Sequence, residues 1–286
     1  MAYAGVVPHH LRKSKNLGDL LITELVWPLG TPSHLKYVRD LGAEDHIAVY
    51  PYSKTLFRRN HKVNCNVSLI ISEPKAIQGL YYRLLRLIRR NYNAVFLRDK
   101  ALAKRYKNVH ALPLARSFIN LEHLSVIDQS YNKKAGTSLI ASNKKQTTGH
   151  KLRHKIVDLV KKSNLKLSVL GRGYQPFNNK EDGLLPYKYS IVIENAIEPH
   201  YFTEKIIDCL LCKTIPIYWG SGDIDEYFDT TNWLKFNSST DILEQIELTQ
   251  SGLHKIDTDK LELNYQQALA LTDPDKLVAH RLLELV

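Results

Sequence analysis

The sequence contains no uninterrupted run of about twenty apolar residues, so no segment is expected to cross a bilayer as a helix. Its opening, MAYAGVVPHHLRKSKNLG, has no apolar core of the kind a secretory signal requires. Cysteine is scarce. Cys65, Cys209 and Cys212 cannot build a disulfide framework. Cys209 and Cys212 form a C-x-x-C, but with no second pair and no nearby histidine they make a poor zinc ligand set. They are expected to be small core residues in a reducing compartment. The acidic cluster Asp223, Asp225, Glu226 could suggest Mg²⁺, but it reads better as the capped start of a short helix after Gly222. No metal site and no cofactor are predicted. There is no internal repeat, no low-complexity tract and no recognisable nucleic-acid-binding motif. Together these absences predict a cytoplasmic protein.

Charge is uneven along the chain. Residues 1–125 hold 20 Lys and Arg against 8 Asp and Glu, whereas residues 126–286 hold 20 against 21. The positive excess therefore lies entirely in the front half. Its densest part is YYRLLRLIRR, from Tyr81 to Arg90. On a helix, Leu84, Leu85 and Ile88 share one side and Arg83, Arg86 and Arg90 the other. Such a face is either simply solvated or attracted to an acidic partner: anionic lipid, which would make the protein peripheral to a membrane, a phosphorylated glycolipid, or nucleic acid.

At 286 residues the chain can hold two modest α/β domains. Strands are predicted near 47–50, 67–71, 94–97, 109–112, 138–141, 166–170, 189–193 and 214–218. Helices are predicted near 34–41, 76–91, 99–106, 150–163, 203–212, 239–248 and 258–271. This alternation argues two doubly wound sheets. Residues 115–136 lack periodicity and are assigned as linker, which sets domains of 1–125 and 126–286. A closing helix near 273–286 is expected to pack back across the first domain.

The densest chemistry runs from Tyr187 to Gly220, YKYSIVIENAIEPHYFTEKIIDCLLCKTIPIYWG. Ser190 to Ile193 reads as a buried strand. Glu194, Asn195 and Pro199 break it into a loop. Thr203 can cap a helix starting at Glu204, and Lys213 to Trp219 reads as the next strand. Ligands in open α/β sheets sit beyond the carboxyl ends of strands. That gathers Glu194, Asn195, Tyr201, Glu204 and Lys205 around one crevice. A helix N-terminus favours anions, and Lys205 in its first turn adds a full charge. Glu204 can accept two hydrogen bonds from a ribose diol, and Tyr201 offers a flat face.

The pattern Tyr187-Lys188-Tyr189, Ile193-Glu194-Asn195-Ala196, Tyr201, Thr203-Glu204-Lys205, Ile215-Pro216-Ile217 and Gly220 resembles the donor-binding motif of the GDP-fucose-dependent α-1,3/4-fucosyltransferases, glycosyltransferase family 10. Ala196 replaces the usual Ser and Ile193 the usual Phe. Residues 137–173 are similar to the family's strand ending in Ser142-Asn143, its helix bearing Arg153, and its strand ending in Gly-Arg-Gly. Glu73, after the apolar strand 67–71, falls where the family has its proposed general base. Some family members carry an N-terminal membrane anchor; without one, this chain resembles the soluble bacterial or viral forms.

The resemblance implies a GT-B architecture, two Rossmann-like α/β domains with the active site in the cleft between them. It implies an inverting, metal-independent transfer of L-fucose from GDP-β-L-fucose to a glycan or glycolipid hydroxyl, the acceptor being acidic if the basic front half meets it. Glu73, Arg153 and Lys205 would be catalytic. Ser142, Asn143, Arg153, Glu194, Asn195, Tyr201, Thr203, Glu204 and Lys205 would bind the donor. Three other readings stand beside this one: a same-scaffold enzyme using another nucleotide sugar, a non-catalytic basic module for anionic surfaces or nucleic acid, and a degenerate transferase that binds donor without transfer.

Overall fold

A computed structural model describes residues 2–58, 61–126 and 133–285. The chain divides into two compact units. Met1–Leu114 with Asp273–Val286 form the first, and Ala115–Thr272 the second.

The first unit is built on a parallel sheet of β1 (Ala4–Val6), β2 (His46–Val49), β3 (Asn66–Ile70), β4 (Val95–Leu97) and β5 (Val109–Ala111), paired in chain order. β1 to β4 are short strands buried almost throughout, as parallel strands covered by helices should be, and the edge strand β5 buries only Val109. A right-handed crossover repeated in one direction lays every connection on the same face. There α1 (Lys75–Ile88) buries Leu85 and Ile88 against Val67, Leu69, Ile71 and Val95. The short α2 (Lys100–Arg105), capped by Asp99, leads into β5. The opposite face would be bare. It is covered by α8 (Pro274–Leu283), whose Val278, Ala279 and Leu282 pack on Val6, Ala48, Ile70 and Phe96.

Residues 34–41 do not form the predicted helix. Val38 donates its N–H to the Leu20 carbonyl at 2.9 Å, and the Tyr37 N–H goes to the Asp40 carboxylate at 2.8 Å. Those donors are committed across the loop rather than up a helix, and only a 3₁₀ turn, Val38–Asp40, remains. β1 was not predicted, because three residues carry too little periodicity to read.

The second unit contains α3 (Leu121–Val126), β6 (Lys134–Ile140), α4 (Thr148–Lys161), β7 (Ser168–Leu170), β8 (Tyr187–Ile193), α5 (Glu204–Leu211), β9 (Ile215–Trp219), β10 (Leu234–Lys235), α6 (Asp241–Ser251) and α7 (Thr258–Leu269). The sheet is parallel, in the order β10-β9-β8-β6-β7. The chain leaves β6 for β7 on one side and then crosses to β8 on the other, so helices cover both faces. α4 and α6 pack Ile156, Val157, Ile242 and Ile246 on one. α5 packs Ile206, Ile207 and Leu210 near Phe228 and Trp233 on the other. The boundary between units falls at 114/115 rather than 125/126. The segment assigned as linker opens the second unit, with α3 and the start of β6 inside it; its residues 127–132 lie outside the described residues. Cys209 and Cys212 are buried within this core, as read from the sequence.

Candidate functional site

The reversal of strand order between β6 and β8 opens a crevice at the carboxyl ends of the strands. A cavity of about 350 Å³ occupies it, in the size range of small-molecule sites. Its floor is apolar, with Ile140, Ala141, Leu184 and Ile191 to Ile193. Its rim is charged, with Lys144, His150, Arg153, Arg172, Lys180, Glu204 and Lys205. Glu204 is the one carboxylate among these lining residues.

Three loops deliver the rim: one after β6, one after β7 that carries Arg172 and Lys180, and one after β8. After β6 the chain turns through Ser142 and Lys144 to Thr147, whose hydroxyl accepts the His150 N–H at 3.2 Å and caps α4. Arg153, two turns in, is buried and donates to the Ile193 carbonyl at the end of β8. Burial pulls its pKa down, and the charges of Glu194 and Glu204 work in the opposite direction. His150 lies below its ordinary pKa, through burial first and then the charges of Arg153, Lys144 and Lys205, so it is neutral at pH 7.

α4 reaches the crevice only because Gly149 has no side chain. Its N–H meets the Asn195 carbonyl at 3.2 Å, and a Cβ there would stand 1.8 Å from the Glu194 carbonyl oxygen. Gly149→Ala is expected to push α4 off β8, with an overpacking cost of about 1–3 kcal/mol. Calorimetry should show a lower Tm. An unchanged Tm would refute this contact.

The third loop follows β8. Glu194 is fully buried; its Oε1 accepts the Thr203 N–H at 2.9 Å and its Oε2 the Thr203 hydroxyl at 2.7 Å. Thr203 caps α5, accepting the Lys205 N–H at 3.4 Å. The Lys205 Nζ donates to the Thr203 hydroxyl oxygen at 2.8 Å and to Glu204 Oε1 at 3.1 Å, and lies 3.5 Å from Glu194 Oε2. Burial of Glu204 opposes its ionisation, but Lys205, Lys180 and its own N–H overcome this and hold its carboxyl down to about 2. It is thus an ionised acceptor at the first turn of α5.

Of the residues predicted from sequence, Ser142, Arg153, Asn195, Glu204 and Lys205 line the cavity. Glu194 and Tyr201 do not, and the expectation that they form its wall is corrected. Glu194 is turned inward to hold Thr203, and Tyr201 is 2% exposed. Asn143 is exposed beside the rim, packed near Gly173, and Thr203 acts as the helix cap. Glu73 lies in the first unit, just past β3. It is half-buried, with its N–H on Gln78 at 3.2 Å and its carbonyl accepting from Tyr82 at 3.2 Å.

Three rim cations were not singled out in the sequence. Arg172 belongs to the Gly-Arg-Gly strand end that was visible. Lys144 follows the Ser-Asn pair in a lysine-rich turn with no distinctive spacing. Lys180 opens a 3₁₀ turn, Lys180–Gly183, with no distinctive sequence around it, and only the fold shows what holds it. Its Nζ is 3.1 Å from Oδ2 of Asp208, a fully buried carboxylate on α5 that also accepts from Ser117 at 2.8 Å and the Phe118 N–H at 3.0 Å. Burial pushes the Asp208 pKa up against the pull of Lys180, Ser117 and Phe118.

Among the described residues, His200, Asp223 and Glu226 could offer a metal three ligand atoms within 4.8 Å of one another. His200 and Asp223 already pair at 3.0 Å, and Glu226 is exposed. The Asp-x-Asp spacing occurs three times, at 223–225, 257–259 and 273–275. Asp257 and Asp273 are helix caps, and Asp225 pairs with Lys235.

Two Rossmann-like units, one with a cationic pocket at its switch point, define a GT-B glycosyltransferase fold. Comparison with solved structures agrees: a Rickettsia africae glycosyltransferase matches 86% of this chain and 76% of its own, at 11% identity and a TM-score of 0.57. An α1,3-fucosyltransferase crystal structure matches 85% and 78%, at 18% identity and a TM-score of 0.51. Residues 130–262 match the model of the glycosyltransferase family 10 (fucosyltransferase) C-terminal domain. The α-(1,3)-fucosyltransferase FucT of Helicobacter pylori is 33% identical over 95 residues, which are 33% of this chain and 20% of that protein. The matched segment thus spans about a fifth of that relative's length.

Proposed function

We propose that this chain is an inverting glycosyltransferase that takes L-fucose from GDP-β-L-fucose and needs no divalent ion. The observation that carries the reading is the rim of the second unit's cavity: Lys144, Arg153, Arg172, Lys180 and Lys205 face a space whose lining holds one carboxylate. A nucleoside diphosphate brings anionic charge to this cationic rim, at a helix N-terminus that favours it. Arg153 and Lys205 neutralise the diphosphate, and Glu204, kept ionised, accepts from the ribose diol.

In the transfer, an acceptor hydroxyl oxygen bonds to the anomeric carbon as that carbon's bond to the β-phosphate oxygen breaks. GDP leaves with the electron pair, and fixed cations stabilise the charge as it develops. The acceptor's proton passes to Glu73, which, like the donor residues, stands beyond the carboxyl end of a parallel strand. The acceptor is a hydroxyl of a glycan or glycolipid. The Helicobacter relative's name supports fucose as the sugar.

Melting curves with GDP, GDP-fucose, GDP-mannose and UDP-glucose, each with and without EDTA, test the donor. At about a hundredfold excess over Kd, a ligand specific for the folded state adds about 2.7 kcal/mol, a rise of roughly 5–10 °C. Guanosine nucleotides are expected to give this rise, and EDTA to leave it intact. A response confined to UDP-glucose, or one abolished by chelation, would overturn the donor or the metal independence respectively.

A further inference from the structure

The outer face of α1 has no counterpart in the donor site. Beyond a kink at Gln78, the helix turns Leu85 and Ile88 into the core. Leu80, Arg83, Arg86 and Leu87 all point outward and share about a third of the helix circumference, and Arg90, in the 3₁₀ turn that follows α1, is exposed as well. Leu80 is 48% exposed and Leu87 55%, and Ile77, before the kink, is 48% exposed. Large apolar side chains in such a row are left in water at a cost that a partner would remove.

The arginines beside them are equally uncommitted. Among the described residues Arg83, Arg86 and Arg90 have no ion pair, whereas Lys75 at the helix start pairs with Asp99 and Arg89 bonds Asn108. Between Asp45 and Asp99 the sequence holds ten Lys and Arg against one acid, Glu73. An exposed helix face that sets leucines next to unpaired arginines is complementary to a surface that is anionic outside and apolar just beneath.

We propose that α1 is an interfacial helix that docks the first unit on an anionic lipid surface, Leu80 and Leu87 entering the acyl boundary while Arg83, Arg86 and Arg90 meet lipid phosphates. A bare polyanion, such as nucleic acid or an acidic polysaccharide, would use the arginines but gain nothing from the leucines. The docking itself does not depend on the transferase reading.

Co-sedimentation of the full chain with vesicles tests this. Pure phosphatidylcholine vesicles are compared with vesicles carrying a third phosphatidylglycerol, at low and high salt. The chain is expected to bind the anionic vesicles at low salt and the neutral ones at least tenfold less. One basic residue near an anionic surface is worth about fivefold in binding, so R83E/R86E/R90E is expected to lose at least about a hundredfold. L80S/L87S is expected to lose vesicle binding about tenfold or more while retaining affinity for a single-stranded oligonucleotide. All five side chains are exposed, so unchanged melting curves and GDP-induced shifts confirm that the variants are folded. The proposal is overturned if anionic vesicles are not bound, if the triple variant binds like the parent, or if L80S/L87S leaves vesicle binding intact. In that last case the face is a general polyanion patch.

Discussion

Lys205→Ala is expected to lower sugar transfer by about two to three orders of magnitude, the usual consequence of removing one preorganised charge from a transition state. The Nζ of Lys205 is already positioned before any ligand arrives, by Thr203 at 2.8 Å and Glu204 at 3.1 Å. In the proposed transfer it would therefore cost little reorganisation as charge develops on the leaving group. The side chain is 21% exposed, and a partly solvated ion pair contributes about 1 kcal/mol or less to stability. Tm should barely move, which separates a catalytic loss from a folding loss. Lys205→Arg keeps the charge but replaces a compact ammonium with a planar fork, and intermediate activity is expected. Turnover and GDP affinity, measured together on both variants, check this. Near-normal transfer by the alanine variant would remove Lys205 from the mechanism.

The second large effect is expected at a residue outside the cavity. Glu194→Ala deletes a fully buried carboxylate that takes both the N–H and the hydroxyl of Thr203. Thr203 is left with two buried donors unsatisfied, and Lys205 loses a neighbouring charge. Breaking such a buried network costs about 3–5 kcal/mol. The N-terminus of α5 should loosen, so donor binding should fall at least about a hundredfold along with the Tm. Glu194→Gln is the discriminating companion. Its single carbonyl can still serve one Thr203 donor, so part of the stability is expected to return, but its amide N–H₂ opposes the other. Denaturant titration and calorimetric GDP binding read the two effects separately. Full donor affinity in Glu194→Ala would show that the cap does not position Lys205.

These two residues also show what a sequence can and cannot reveal. Both lie in the Glu-Asn…Thr-Glu-Lys stretch, and both were picked out. Lys205 lines the cavity, a placement that follows from local order: strand, loop, cap, helix. The sequence places Glu194 at the crevice because ligands in open α/β sheets sit beyond the carboxyl ends of strands. Only the return of the chain through Thr203 gives it two donors and allows full burial. Tyr201 follows the same logic, since its ring is enclosed by a loop whose path is not periodic. Asp208 and Lys180 were invisible as a pair, because 28 residues of chain and a whole strand separate them.

The sequence by itself determined the alternation of strands and helices, the neutral and basic halves, and several of the residue types that line the cavity. These depend on neighbours within a few positions, through periodicity, capping and strand-end geometry. Strand order, the unit boundary and the place of the closing helix were decided only by the tertiary structure. In the first unit the strands pair in chain order, so every crossover lies on one face and α8 is recruited to cover the other. In the second unit the order reverses at β6, and that reversal, which no local pattern encodes, opens the cavity and brings Arg153, Lys180 and Lys205 to one rim.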